Sequence, residues 1–282
     1  MHALNKTIQP DKHHIIAIQE PWRNPKMATT VKPPNYHLIY PKHADTRVCF
    51  YVSKRLDVLK WDAEEHSPDL ITLILHLKHQ ELHIHNCYNQ PPKLATSHEL
   101  GILQGLPAVL RKPGEHLLLG DFNLHHPIWG GVVVPTQHAL ADDLIEITQQ
   151  ANMQLILPQG TITWRRNNSQ STLDLAFATP WTTNCVQQCQ PCDELDSDSN
   201  HVPIITTLLA NTPTRPQQPL RPTWRRADWE TVRTALQSRL DGLDLHTKPA
   251  ENNHELDQKV CALQLAITET INETIPKGQP PK

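Results

Sequence analysis

The sequence lacks a strong net charge, a long apolar run and a secretory-type amino terminus. With 26 Lys and Arg against 29 Asp and Glu, the formal charge is −3. No global basic field therefore advertises a polyanion partner, although a local basic cleft is compatible with a near-neutral chain. No apolar run is long enough to span a bilayer, and the first residues do not read as a signal peptide. The expectation is an intracellular protein with no membrane partner. Cysteine is too sparse for a disulfide scaffold, at 6 in 282 residues. Cys49 and Cys87 lie in strand-like apolar runs, where cysteine acts as a small hydrophobe. Cys185, Cys189 and Cys192 are spaced like a metal knuckle but lack a well-placed fourth ligand. Internal repeats are absent as well. Histidine, in contrast, is abundant, and the 18 imidazoles make the true charge sensitive to mild acid.

The length suits one large domain with room for an appendage. Strand-like runs are predicted at 15–19, 47–52, 70–77, 82–88, 116–120, 173–178 and 202–208, bounded by turn formers. Leu82-His83-Ile84-His85 alternates with period two, which places His83 and His85 on the solvent side of a half-buried strand. Helices are predicted at 97–111, capped by Ser97, and at 137–152, where Leu140, Leu144, Ile147 and Ala151 form one stripe. This mixture argues for layered α/β or α+β packing. A domain over 1–210 is followed by a linker over 211–224, dense in proline and glutamine, and a helical appendage over 225–282. In the appendage, 228–240 and 255–275 carry helical periodicity, and the small unit needs a partner surface.

Polar residues punctuate the strand ends. Leu117-Leu118-Leu119-Gly120 runs into Asp121, Phe122 and Asn123, and an aspartate two residues before an asparagine on an extended backbone points both side chains the same way. Glu20 closes the 15–19 run before Pro21, and a carboxylate there suits a hard cation. Tyr88 and Asn89 end another strand. Asp174 sits among apolar residues and therefore needs a partner. His201 precedes Val202-Pro203-Ile204. Several polar groups at strand ends point to one convergent site. His125 and His126, adjacent on an extended segment, point to opposite sides; His125 faces either substrate or a turn packed near Trp129. Arg165, beside Trp164, either grips a phosphate or is a solvated arginine.

The order of these motifs resembles the endonuclease/exonuclease/phosphatase superfamily, and within it the endonuclease domain of LINE-like (non-LTR) retrotransposons of fungal type. The resemblance rests on Ile18-Gln19-Glu20-Pro21-Trp22, Asn86-Cys87-Tyr88-Asn89, Gly120-Asp121-Phe122-Asn123, Trp129-Gly130-Gly131, Thr163-Trp164 with Ser171-Thr172-Leu173-Asp174, and Ser199-Asn200-His201-Val202-Pro203-Ile204. It covers about residues 10–210 in order. It implies a four-layer α-β-β-α sandwich and Mg²⁺- (or Mn²⁺-) dependent phosphodiester hydrolysis that nicks DNA. Carried over by position, Glu20 and Asp121 hold the metal, Asp121 orients or deprotonates the attacking water, and Asn123 positions nucleophile and phosphate. Tyr88 contacts the phosphate or assists proton movement, Asp174 supports the site and His201 stabilises the phosphorane. Trp164, Arg165, His125 and Asn200 are implied substrate contacts.

Two departures from the family pattern stand out. Asn200 replaces the aspartate that would orient His201, with Asp198 a partial substitute. Only Met1-His2-Ala3-Leu4 precedes Asn5, so the family's first strand and its asparagine are expected to be missing. The resemblance also implies a nuclear setting and native fusion to a reverse transcriptase, whose paired aspartates are not found in this chain. The alternatives are an inactive truncated retroelement remnant and a phosphatase of the same superfamily.

Overall fold

The computed structural model describes residues 2–26, 29–43, 45–96, 98–131, 134, 137–195, 198–209, 221–243 and 253–278. The chain divides into two compact units, Met1–Pro216 and Gln217–Lys282.

The first unit begins with α1 (His2–Thr7), β1 (Ile15–Gln19), β2 (Tyr36–Ile39) and β3 (Val48–Ser53). All six residues of β3 are buried, which is why the segment reads as nearly continuous apolar sequence. It is the middle strand of an antiparallel sheet ordered β1-β3-β2. There follow β4 (Trp61–Ser67), β5 (Leu70–His76), β6 (Glu81–Tyr88), α2 (Leu106–Leu110), β7 (Glu115–Asp121), α3 (Pro127–Gly130) and α4 (Ala139–Gln150). The unit closes with β8 (Gln154–Leu155), the hairpin β9 (Trp164–Arg166) and β10 (Ser169–Ser171), β11 (Asp174–Ala178), α5 (Pro180–Cys185), and the paired β12 (Val186–Pro191) and β13 (Ile204–Leu208). A six-stranded sheet runs β4-β5-β6-β7-β11-β8, with β6 and β7 parallel and the other pairs antiparallel.

Side-chain alternation sorts these strands into layers. Val48, Phe50 and Val52 of β3 meet Ile71, Leu73, Leu82, Ile84 and Leu117 of the larger sheet in one core. The other face of that sheet carries Cys87, Leu118, Leu175 and Phe177 against Leu103, Leu106, Leu140 and Leu144 on the helical side. Tyr36, Cys49 and Tyr51 turn outward from the smaller sheet and are covered by Leu4 and Ile8. The order is helix, sheet, sheet, helix, as the motif order implied. Each fully buried Leu, Ile or Phe contributes about 1.5–3 kcal/mol as an upper estimate, so the central contacts dominate the stability of the unit.

Several expectations shift. Strands β2, β4, β8, β9, β10 and β12 are not expected from the sequence, because their short or polar runs carry weak periodicity. The helix expected over 97–111 is instead a 3₁₀ turn at Gly101–Gln104 and the short α2, broken at Gly101, whose φ is +51°, and at Pro107. Ser97 lies outside the described residues. The 137–152 helix is α4, ending before Asn152 at φ +53°. His83 and His85 are not on a solvent face. They are 2% and 0% exposed, because β6 lies inside a sheet covered on both sides. Together with His116 they form a stacked group, with centroids 5.1 Å (His83–His116) and 5.2 Å (His85–His116) apart. His66 Nε2 meets Thr72 Oγ1 at 2.8 Å, Thr72 meets His85 Nδ1 at 2.8 Å, and His85 Nε2 meets His116 Nδ1 at 2.9 Å. His116 Nε2 donates to the Lys112 carbonyl at 3.0 Å. That last acceptor fixes every tautomer upstream, so the chain of bonds is satisfied with all three rings neutral.

In the second unit, β14 (Arg221–Pro222) pairs with β15 (Lys277–Gly278), and α6 (Trp229–Asp241) lies against α7 (Asn253–Thr274). Asp228 caps α6 by accepting from Glu230 N at 3.1 Å. Arg239 Nη2 reaches Glu273 at 2.6 Å, and Ala266 and Thr270 of α7 are buried. The stretch 211–220 of the expected linker lies outside the described residues. No described helix is long and apolar enough to cross a membrane.

Candidate active site

The carboxyl end of β7 and the amino end of β11 bring two acids face to face. Asp121 is the last residue of β7 and Asp174 the first of β11, and the register pairs them directly. Directly opposed side chains on an antiparallel pair stand about 4.5–5.5 Å apart at Cβ, so two like charges repel there. Gly120 makes the approach of β6 and β7 possible, since a Cβ at this position would sit 2.2 Å from the Cys87 carbonyl oxygen.

His201 arrives from the segment before β13. Its neighbours are fixed by Arg165 N donating to Asn200 O at 2.8 Å and Val202 N donating to Thr163 O at 2.7 Å, which clamp the segment to the β9 side. His201 Nδ1 then bonds Asp174 Oδ2 at 2.8 Å, while Nε2 lies 3.9 Å from Asp121 Oδ2. Asp174 thus has the partner that its apolar flanks required. Burial pulls the His201 imidazole down, but the bond to Asp174 and the charges of Asp174, Asp121 and Glu20 outweigh it and leave the pKa raised. Burial, reinforced by Asp174, pushes the Asp121 carboxyl up to about 7, against the opposing pull of His201 and Asn123.

Glu20 follows β1 with φ +46°, a left-handed backbone unusual for this residue, held by Glu20 N donating to Arg47 O at 2.8 Å. Burial and then the neighbouring Glu20 carboxylate hold the Tyr88 hydroxyl well above the ordinary tyrosine range. Tyr88 therefore stands next to Glu20.

Asn123 departs from the extended geometry expected of it. Its φ is +50°, and its backbone N–H donates to Asp121 Oδ1 at 3.1 Å, closing an Asx-type turn. Its Nδ2 donates to Asn89 O at 2.9 Å, while Asn89 Nδ2 donates to Phe122 O at 2.8 Å. The two amides clasp the ends of β6 and β7 together.

The peripheral residues divide. His125 lies on the turn and stacks on His138 at 4.9 Å, with burial and then His138 lowering its pKa. His126 caps α3 by accepting from Ile128 N, and Trp129 is buried with Nε1 donating to Leu124 O at 2.9 Å. Trp164 is half-buried and forms a β-bridge with His201. Arg165 is exposed beside Asp193 at 3.8 Å. Asn200 is exposed, and Asp174 bonds the imidazole at Nδ1. Asn5 sits on α1 near the Tyr51 hydroxyl, on the outer side of the smaller sheet and away from the paired acids.

Among the described residues, Asp121, Asp174 and His201 are the group whose ligand atoms all lie within 4.8 Å of one another. Carboxylate oxygens suit a hard divalent cation. Since His201 Nδ1 is committed to Asp174, the donor set fits an oxygen-bound ion beside a His–Asp pair better than a nitrogen-rich site. Cys189, from the sequence's cysteine cluster, is instead buried with Leu157 and Ala176, and Cys185 and Cys192 are free thiols.

Residues 82–205 match the sequence family described as endonuclease–reverse transcriptase. No curated protein matches the chain. Among solved structures it is similar to the endonuclease domain of TRAS1, a telomere-specific non-LTR retrotransposon (15% identity, 74% of this chain and 92% of that one, TM-score 0.55). It is also similar to the AP endonuclease LMAP of Leishmania major (14% identity, 76% and 82% covered, TM-score 0.59) and to an AP endonuclease of Archaeoglobus fulgidus (16% identity, 74% and 94% covered, TM-score 0.55). At these identities the structural likeness speaks for the fold. Taken with the family match over residues 82–205 and with the order of motifs along the site strands, it supports a domain of the endonuclease/exonuclease/phosphatase superfamily in the first unit.

Proposed function

We propose that the first unit is a metal-dependent phosphodiesterase that nicks DNA, in the manner of a retrotransposon endonuclease. The observation that carries this reading is the Asp121–Asp174–His201 group, with Glu20 and Tyr88 beside it. Glu20 and Asp121 would hold Mg²⁺ (or Mn²⁺), which supplies Lewis-acid neutralisation of charge building on the phosphate. Asp121 orients the attacking water and accepts its proton, and Asn123 holds Asp121 through the Asx turn. His201, kept in one tautomer and made more basic by Asp174, stabilises negative charge on the phosphate oxygens. Trp164, Arg165, His125 and Asn200 would contact the substrate, with Arg165 as the phosphate contact.

DNA as substrate is supported by the likeness to AP and retrotransposon endonucleases, and fusion to a reverse transcriptase by the matched endonuclease–reverse transcriptase family. A nuclear setting follows from that context. The fungal type rests on Trp129-Gly130-Gly131 and Trp164; the burial of Trp129 makes its block a structural signature.

The test is nicking of supercoiled plasmid with Mg²⁺ by the native chain, Asp121→Ala and Asn200→Asp. Nicking that depends on Asp121 supports the reading. A native rate equal to that of Asp121→Ala refutes it, and recovery in Asn200→Asp would mark the chain as an impaired copy.

A further inference from the structure

Glu20 and the Asp121–Asp174 pair come from different sheets, so something must fix the gap between them. Glu20 follows β1 of the three-stranded sheet, while Tyr88, Asp121 and Asp174 belong to the six-stranded sheet. Apolar packing in the shared core sets an average spacing, and Asn86 of β6 ties the sheets together, but its bonds end on Ile18, Gln19 and Cys49 rather than on Glu20.

Arg47, immediately before β3, carries directional contacts across this gap. Its Nε donates to Asp69 Oδ1 at 2.5 Å and its Nη2 to Asp69 Oδ2 at 2.6 Å, from the turn between β4 and β5. Its guanidinium lies 5.7 Å from the centre of the Tyr88 ring. Turned to satisfy both amide atoms, the Gln90 oxygen accepts from Nη2 at 2.8 Å and Nη1 at 3.0 Å. The backbone repeats the connection. Arg47 O accepts from Glu20 N at 2.8 Å, Arg47 N donates to Pro68 O at 2.8 Å, and Tyr88 N donates to Asp69 O at 3.0 Å. Tyr88 in turn stands beside the Glu20 carboxylate.

We infer that Arg47 is a positioning residue that braces the two sheets at the site end: its fork to Asp69 anchors the backbone carbonyl that holds Glu20 and the guanidinium that covers Tyr88, opposite Asp121. The inference rests on the metal-site reading above. The bidentate fork to Asp69 fixes the guanidinium plane, and that plane fixes the Tyr88 ring beneath it. A lysine at the same place keeps the charge but has no plane and no fork. Arg47 touches neither metal nor substrate; it acts through Tyr88 and Glu20.

The experiment compares the native chain with Arg47→Lys and Asp69→Asn in three measurements: Mn²⁺ affinity by titration calorimetry, kcat and KM for plasmid nicking, and the metal-free melting temperature. Both variants are expected to weaken Mn²⁺ binding by about 10-fold or more, as loss of groups that orient metal ligands does. They are also expected to lower kcat more than they raise KM, with melting close to native. Unchanged Mn²⁺ affinity in Arg47→Lys overturns the brace, as does a loss of affinity that only tracks a loss of melting temperature. A native chain that binds no Mn²⁺ overturns it too. If the native chain binds Mn²⁺ but does not nick, the proposed function falls while the brace is still judged on Mn²⁺ affinity. If it nicks and Arg47→Lys binds Mn²⁺ normally, the brace alone falls.

Discussion

His201 bonds Asp174 through Nδ1 at 2.8 Å while Asp174 faces Asp121 directly across the β7–β11 pair, so one aspartate both orients the imidazole and repels the other acid. The charge of Asp174, not only its shape, raises the His201 pKa against the effect of burial. Asp174→Asn keeps the shape and removes the charge. Nicking is expected to fall by about 10²–10³-fold, with the His201-dependent limb of the pH–rate profile moved to lower pH. A native profile in this variant would exclude the pairing from the chemistry.

The buried histidine chain makes stability depend on pH. Burial, with its imidazole neighbours, lowers His85 well below 6.5, and burial lowers His116 and His66. Below pH 6.5 the unfolded chain takes up protons that the folded rings refuse, so their contribution is complete above 6.5 and is lost as pH falls towards the folded values. The slope approaches about 1.4 kcal/mol per pH unit for each such ring. In urea unfolding, His85→Leu should cost less stability at pH 5.5 than at pH 7.5, by about 1 kcal/mol. Equal costs at the two pH values would show that His85 is not held neutral.

Gly120→Ala drives a methyl group into the Cys87 carbonyl, which belongs to the backbone of the neighbouring parallel strand and cannot swing away. A loss of about 1–3 kcal/mol in urea unfolding is expected. Alanine tolerated at native stability would mean that β6 and β7 part more easily than their register indicates.

Asn89→Ala removes the donor to the Phe122 carbonyl and leaves a buried acceptor without its partner, at a cost of about 1–3 kcal/mol. Because the same clasp anchors Asn123, nicking should fall more than the melting shift alone explains. Native kcat in this variant would assign the clasp to stability only.

Much of this was legible because strands end where polar residues begin. Glu20, Tyr88, Asp121, Asp174 and His201 could each be read as a punctuation mark after or before an apolar run, and the structure brings them to one end of the two sheets. The alternation around His83 and His85 misled for a physical reason. Period two shows that a strand has two faces, but not whether a helix covers the second one, and here α2 and the segment beside it do. Asn123 misled because an Asx turn reverses the backbone within one residue of the strand end. Arg47 and Asp69 gave a weaker signal, an arginine opening a wholly buried strand, which acquires meaning only when Asp69 from a distant turn is placed opposite. The helix over 97–111 failed on Gly101 and Pro107, breakers visible in the sequence and outweighed there by its apolar content.

Glu20 stands near one end of the first unit's chain and His201 near the other, with Tyr88, Asp121 and Asp174 spread between. Closing such distant segments on one another costs loop entropy before any contact repays it, which slows folding. During synthesis the larger part of the unit must leave the ribosome before His201 exists to meet Asp174. Nascent chains that stop short of His201 therefore lack the assembled Asp121–Asp174–His201 group, which is complete only once the segment before β13 has emerged.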